Sequence, residues 1–142
     1  MDKKEIIKLL QNNKPPCLET LRGDLLEFDE AEKIMTMEYD AIPEFCHSES
    51  EIVQGGFITG MLDCTMAHLV IALGKFQSNP FSLDINVSFI APAHPGTLIA
   101  KSKILKMGKS IVFAYATMKQ YDEMVASATS TIKLFPVSKK PL

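Results

Sequence analysis

The sequence has no tryptophan and only 8% aromatic residues, and this composition gives no information about function. Cysteine is also scarce: Cys17, Cys46 and Cys64 are an odd number without paired spacing, which excludes a disulfide framework and a zinc signature. The formal net charge is only -2, which argues against a protein that binds nucleic acid mainly through phosphate contacts. This charge still permits a local basic site for a phosphorylated ligand.

Signals for export or membrane insertion are missing as well. Residues 1–14 lack the apolar core and the small-residue cleavage site of a secretory signal. We find no run that is apolar for long enough to span a membrane. The chain is therefore predicted to lie in the reducing cytoplasm, with neither a membrane nor a nucleic acid as its partner.

What the sequence does contain is enough for one folded domain over residues 1–142, because 46% of its residues are apolar and 23% are charged. Periodicity predicts a short helix at 2–12, a strand at 33–39 and a loop at 40–53, while 18–30 is mixed and could begin a strand. A long helix covers 57–73, opened by Gly55-Gly56 and stopped by Gly74. Four strands follow, at 82–90, 97–106, 110–121 and 124–135, with hairpin turns at Gly108-Lys109 and Asp122-Glu123.

The long helix is apolar nearly all round, so it must be covered on most sides. We expect an α+β fold in which an antiparallel sheet of five or six strands wraps around this one helix. The outer face and the edges of that sheet are then candidates for self-association. In the strand at 82–90 the alternation predicts that Ser82, Asp84, Asn86 and Ser88 share one face.

Asp63 is the only formally charged side chain between Glu51 and Lys75, apart from histidine. Helical spacing surrounds it with small and apolar residues, where an unpaired carboxylate costs several kcal/mol as an order of magnitude. Either Asp63 hydrogen-bonds a neighbouring loop or a partner helix, or it has a functional use.

The start of the same helix offers a second candidate feature. Gln54-Gly55-Gly56 precedes amide N–H groups that have no partner within the helix, and glycine allows a ligand to approach them. Such a helix N-terminus can form an oxyanion hole. The alternative is a tight turn into the helix and nothing more.

Together these residues resemble a known family. Val53-Gln54-Gly55-Gly56 followed by Asp63 is similar to the PaaI-like branch of the hotdog-fold thioesterases, in the 4-hydroxybenzoyl-CoA thioesterase superfamily. The family has a His-Gly-Gly turn and an aspartate seven residues after the second glycine. Further matches run from about Ser48 to Phe135, and include the strand from Ser82, the Pro-Ala-x-x-Gly turn at Pro92–Gly96 and a Gly-Lys-Ser hairpin at 108–110.

The resemblance implies an acyl-CoA thioesterase that forms a homodimer or homotetramer, with its site at the subunit interface and with no cofactor or metal. Asp63 would activate water or attack the thioester, and the Gly55 N–H would polarise the carbonyl. Ser82 would help to place the water near Asp63 of the partner subunit. Substrate-binding positions would be Ser48, Gly56, Gly108, Lys109 and Ser110, the last three near the nucleotide of CoA.

Two departures from the family pattern affect this expectation. Gln54 stands where relatives carry histidine; it can bond a substrate oxygen or orient Asp63, but it cannot shuttle a proton. Lys109 replaces arginine, which keeps the charge but loses bidentate phosphate geometry. A non-catalytic hotdog protein that binds acyl-CoA therefore stays open as an alternative, and Gln54 favours it. A hydratase of the same fold would need a histidine that Asp63 can use, and none has that spacing.

Other reactive residues have simpler interpretations. Cys64 is turned about 100° from Asp63 and is expected to be a small buried hydrophobe. His47 and His94 have no partner at metal-ligand spacing. The lysines of the 97–109 hairpin are either a solvated edge or, at Lys106 and Lys109, a phosphate-binding pair.

Overall fold

The computed structural model describes residues 1–137. Its helices are α1 (Lys3–Asn12), α2 (Pro16–Thr20) and α3 (Gly55–Leu73), and a 3-10 turn covers Pro43–Phe45. Its strands are β1 (Gly23–Asp29), β2 (Ile34–Ala41), β3 (Ser78–Phe89), β4 (Gly96–Met107), β5 (Ile111–Gln120) and β6 (Glu123–Pro136). The predicted domain also includes residues 138–142, which lie outside the described range.

Within residues 1–137 the strands form a six-stranded sheet in the order β1-β2-β4-β5-β6-β3. Every neighbouring pair is antiparallel. The sheet wraps around α3, whose Met61, Leu62 and Met66 are fully buried against its inner face. The predicted hotdog architecture, a sheet around one long helix, is confirmed.

The N-terminal segment contains two helices, of which the sequence pattern predicted the first, α1, but not the second, α2. Helix α1 has a complete capping box, in which Asp2 and Glu5 bond each other's backbone N–H groups. Helix α2 follows at once, with Pro16 at its first turn, where the missing N–H costs nothing. Five residues are too few for a periodic signal, and α2 overlaps only the first three residues of the mixed stretch 18–30.

The turn between β5 and β6 lies one residue earlier than predicted. Its two central residues are Tyr121 and Asp122, with φ of 49° and 66°. Two consecutive left-handed residues form the two-residue hairpin turn whose twist matches the flanking strands. Glu123 is therefore the first residue of β6 and not part of the turn.

The strand β3 is longer than predicted and is interrupted by a β-bulge. It begins at Ser78 and includes Pro80, which an edge strand tolerates because one side has no hydrogen-bond partner. Ser82 pairs with Ile132 and Asp84 pairs with Thr131, so Leu83 is the extra residue. The bulge turns Ser82 to the inner face beside buried Ile132, and the prediction that Ser82 shares a face with Asp84 is wrong.

Polar groups in the core around α3 are all engaged. The Tyr39 hydroxyl donates to the Met61 carbonyl at 2.9 Å and contacts the Thr65 hydroxyl at 2.8 Å. Ser102 donates to the Thr65 carbonyl from β4. Within the described residues no buried side-chain nitrogen or oxygen lacks a partner. These bonds fix the rotation of α3 relative to the sheet.

Helix α3 also corrects the expectation about membrane spans. Its 19 residues have the length and apolar composition of a membrane-crossing helix. Half of the apolar stretch is buried inside the chain, where the sheet covers it. The core helix of a wrapped sheet meets the same criteria as a membrane span, because both must be apolar on most sides.

Candidate active site

Asp63 lies half-buried in the middle of α3, and its carboxylate has one side-chain partner. The Ser82 hydroxyl donates to Asp63 Oδ1 at 2.6 Å. The bulge at Leu83 makes this bond possible, because it directs Ser82 toward α3. Both residues belong to the same chain, whereas the resemblance implied a contact between Ser82 and Asp63 of the partner subunit; that expectation is corrected.

The N-terminus of α3 has one amide occupied and one free. Gln54 is the N-cap, and its side-chain oxygen accepts the Gly56 N–H at 2.7 Å. A side chain at position 56 would place its Cβ 2.7 Å from that oxygen, so glycine is needed there for the cap. No acceptor for the Gly55 N–H lies among residues 1–137. Of the two glycine amides, only that of Gly55 has no hydrogen-bond partner among the described residues.

Phe89, at the end of β3, covers this part of the helix. A Cβ added at Gly55 would come within 2.9 Å of the Phe89 ring. Gly55 and Phe89 line a cavity of about 360 Å³ whose other walls are mainly apolar: Ile52, Val53, Ile58, Ile90, Ala91, Pro92 and Ala93, with His47 at one side. Sequence reasoning did not identify Phe89, because its contact with Gly55 joins residues far apart in the chain.

The loop that leads into α3 is held in place from two sides. Val53 pairs with Cys46, and its N–H donates to the Ala93 carbonyl at 2.8 Å. The buried Gln120 side chain bonds both the N–H and the carbonyl of His94, next to Ala93. This clamp fixes the position of the amides at the helix start. Ser48 lies on the same loop, is exposed, and has its hydroxyl bonded to that of Ser50.

The two halves of the candidate site lie apart within one chain. Asp63 follows Gly55 by eight residues, which corresponds to about 12 Å along a helix. Helix α3 and strand β3 run in opposite directions, so Ser82 is beside Asp63 while Phe89 is beside Gly55. Each chain therefore carries a carboxylate half and an amide half that are separated along α3, and both lie on the inner face of β3.

The hairpin residues Gly108, Lys109 and Ser110 are exposed and lie at the carboxylate end of the sheet. Ile111 pairs with Lys133, which pairs with Phe81 next to Ser82. A Cβ at Gly108 would sit 2.9 Å from the Ile111 carbonyl oxygen, so the tight turn requires glycine. The structure places these residues two strands from Ser82 and gives no direct contact with Asp63.

Burial shifts the pKa values of two ionisable groups near Asp63 in α3. Burial raises the pKa of the Cys64 thiol to about 12, with a further contribution from nearby Cys17 and Asp63. Burial lowers the pKa of His68, whose Nδ1 is 2.8 Å from the Cys64 carbonyl. His68 is thus occupied with its own helix. Within residues 1–137, no three His, Cys, Asp or Glu side chains are grouped as metal ligands would be.

Comparison with known proteins identifies the family of this fold. The family model of the thioesterase superfamily matches residues 51–127, more than half of the chain. A search of curated proteins gave no match. Among solved structures, a phenylacetic acid degradation-related protein from Ralstonia eutropha is 26% identical, with a TM-score of 0.83 over 90% of this chain and 98% of the other.

Two further structures share the fold at lower identity. The PaaI protein of the Escherichia coli phenylacetic acid degradation operon is 15% identical, with a TM-score of 0.79 over 91% of each chain. A thioesterase family protein from Silicibacter pomeroyi is 14% identical, with a TM-score of 0.80 over 94% of this chain and 98% of that one. The chain therefore belongs to the thioesterase superfamily, as a PaaI-like hotdog-fold protein.

Proposed function

We propose that this protein hydrolyses an acyl- or aryl-CoA thioester to the free acid and CoA, in the cytoplasm. The observation that carries the proposal is the Ser82–Asp63 hydrogen bond of 2.6 Å on the inner face of the sheet. A half-buried carboxylate with one serine partner retains lone pairs with which to bind and deprotonate water.

In the proposed reaction Asp63 has one of two roles. It removes a proton from water that attacks the thioester carbonyl, or it attacks the carbonyl itself and forms an anhydride that water then opens. In both cases negative charge develops on the carbonyl oxygen. The free Gly55 N–H, at the positive end of the helix dipole, is the donor proposed to stabilise it.

The loss of the family histidine is tolerable for this reaction. The leaving group is a thiolate, and an ordinary thiol has a pKa of about 8.5, so CoA can depart without a general acid. Gln54 caps α3 through its side-chain oxygen, and its amide NH₂ stays free for a substrate oxygen. In this proposal Gln54 helps to bind the substrate and transfers no proton.

The distance of about 12 Å between Gly55 and Asp63 supports the proposal that two chains form each site. A reacting carbon must lie about 3 Å from both the nucleophile and the oxyanion donors, which one straight helix cannot satisfy. Strand β3 is one of the two edge strands of the sheet, opposite β1, and it exposes Phe81, Leu83 and Phe89. Antiparallel pairing of two β3 strands, centred near Ile85, would place the carboxylate half of one chain beside the amide half of the other.

The ends of the substrate can be assigned in the same proposal. The apolar cavity beside Gly55 would hold the acyl or aryl group. Gly108, Lys109 and Ser110 would lie near the nucleotide of CoA, where the exposed Lys109 offers a positive charge to a phosphate. Ser48 would flank the thioester from the loop before α3.

Replacement of Asp63 by asparagine tests the function directly. The asparagine side chain keeps an oxygen that can accept the Ser82 hydroxyl, so Asp63→Asn should fold normally and lose thioester hydrolysis. The measurement is CoA release from short-chain, long-chain and aromatic acyl-CoAs, quantified by chromatography. Wild-type rates in the folded variant would exclude Asp63 as the catalytic carboxylate.

The second candidate is a hotdog protein that binds acyl-CoA without turnover. The capping role of Gln54 favours it, because the structure gives this residue a use that involves no chemistry. Calorimetric binding of an acyl-CoA by the wild-type protein, with no CoA release, would select this candidate. Altered double-bond absorbance without CoA release would instead indicate a hydratase.

A further inference from the structure

Two cysteines that are distant in the sequence lie in contact beside the candidate site. Cys17 Sγ on α2 is 3.9 Å from Cys64 Sγ on α3, across a sequence separation of 47 residues. Cys17 is exposed and Cys64 is half-buried, and both are free thiols. Cys64 directly follows Asp63 in the chain.

The packing of α2 on α3 holds these thiols together. A Cβ added at Gly60 would lie 3.5 Å from Leu21 Cδ1, so the Leu21 side chain packs against α3 at this glycine. Leu21 is one helical turn after Cys17, and Gly60 is one turn before Cys64. The two segments therefore run antiparallel and contact each other at two successive turns. Leu18 and Leu21 are buried, which anchors α2 in this register.

We propose that Cys17 and Cys64 are a site of reversible thiol oxidation, which low-molecular-mass disulfides such as glutathione disulfide convert to an intramolecular disulfide. The proposal does not depend on the enzymatic activity. The sulfur atoms must approach by about 1.9 Å, from 3.9 Å to the disulfide bond length of about 2.05 Å. A side-chain rotation at exposed Cys17, or a small shift of α2, can supply that movement.

The reaction has two exchange steps. The Cys17 thiolate attacks one sulfur of glutathione disulfide, and one glutathione thiolate leaves. Cys64, after losing its proton, attacks Cys17 Sγ in the mixed disulfide, and the second glutathione thiolate leaves. The protein loses two hydrogen atoms, and one glutathione disulfide is reduced to two glutathione molecules.

Exposure sets the order of these steps. Cys17 is open to solvent, so a soluble oxidant meets it first. The raised pKa of the half-buried Cys64 thiol keeps it protonated and makes it a poor first nucleophile. Its place 3.9 Å from Cys17 makes it the resolving thiol. The bond would tie the N-terminal helices to α3 at the residue after Asp63.

The experiment is oxidation of the native full-length protein with glutathione disulfide, followed by thiol counting, intact mass and peptide mapping without reductant. We expect the wild type to lose two of its three thiols, to become two hydrogen atoms lighter and to yield a Cys17–Cys64 linked peptide. Dithiothreitol should restore all three thiols. Retention of every thiol, or a stable mixed disulfide in the wild type, would overturn the proposal.

Single variants separate this bond from the other possibilities. Cys46→Ser is the matched control, because Cys46 lies outside α2 and α3 and pairs with Val53. This variant should form the Cys17–Cys64 bond as the wild type does. Cys64→Ser should stop at a mixed disulfide on Cys17, one glutathionyl group heavier. A bridge from Cys17 to Cys46, or to a second chain on a non-reducing gel, would show that the pair is not the site.

Discussion

The Gly55 amide is the part of the proposed site that can be removed most cleanly. Gly55 is the first residue of α3, a position where proline is well tolerated because its N–H has no partner in the helix. The preceding Gln54 has φ -66° and ψ 137°, which suits a residue before proline. Gly55→Pro should therefore delete one N–H donor while the helix still forms.

The added atoms need a matched control, which Gly55→Ala provides. Both substitutions introduce a Cβ that would lie 2.9 Å from the Phe89 ring, and both require the ring to move. Phe89 is 56% exposed within one chain, and because both variants require the same displacement of its ring, that cost cancels in their comparison. Only the proline variant loses the N–H, whose place is taken by its ring Cδ, so the ratio of the two rates removes the effect of the Cβ and reports the replacement of the donor.

The expected loss follows from the proposed role of this donor. Removing one oxyanion-hole donor lowers kcat by about 10²–10³-fold, or roughly 3–4 kcal/mol. We expect Gly55→Pro to be slower than Gly55→Ala by that factor in CoA release, with both variants folded by circular dichroism. A ratio below about threefold would show that the Gly55 N–H does not stabilise the transition state.

The same variant tests whether two chains share each site. Gly55→Pro and Asp63→Asn chains, mixed after unfolding and refolded together, should form hybrid dimers in which one site carries both changes and the other carries neither. About a quarter of the wild-type activity should return at equal amounts, since half of the dimers are hybrids with one intact site. No recovery in confirmed hybrids would place the complete site within one chain.

Two further predictions concern neighbouring residues. Phe89→Ala enlarges the cavity beside Gly55 and should shift kcat/KM toward bulkier acyl groups by about tenfold or more. Phe113→Ala, which changes an exposed ring on β5 and leaves the β3 edge intact, should not, and equal profiles would remove Phe89 as a specificity determinant. Burial lowers the pKa of His68, so as the pH falls this imidazole takes up a proton in the unfolded chain before it does so in the folded chain. The free energy of unfolding should therefore fall as the pH drops below about 6.5, by at most about 1.4 kcal/mol per pH unit. Chemical denaturation across this range should show a shallower decline in His68→Gln, and an unchanged slope would contradict the assignment.

The sequence by itself determined the main elements and the candidate carboxylate. Helix α3 was predictable because its apolar run is long and is bounded by Gly55-Gly56 and Gly74. Asp63 stood out because a charge inside such a run is costly. The strands after it alternate with a period of two or end at marked turns, and these are local signals that a short window contains.

Only the tertiary structure decided how those elements meet. Ser82 was expected beside Asp84, but a bulge at Leu83, which exists only through pairing with β6, turns it toward Asp63, 19 residues earlier. The ring of Phe89 over Gly55 and the pair of Cys17 with Cys64 likewise join distant segments. Such contacts depend on strand register and helix packing, which residues far apart in the chain set together, so no local pattern predicts them.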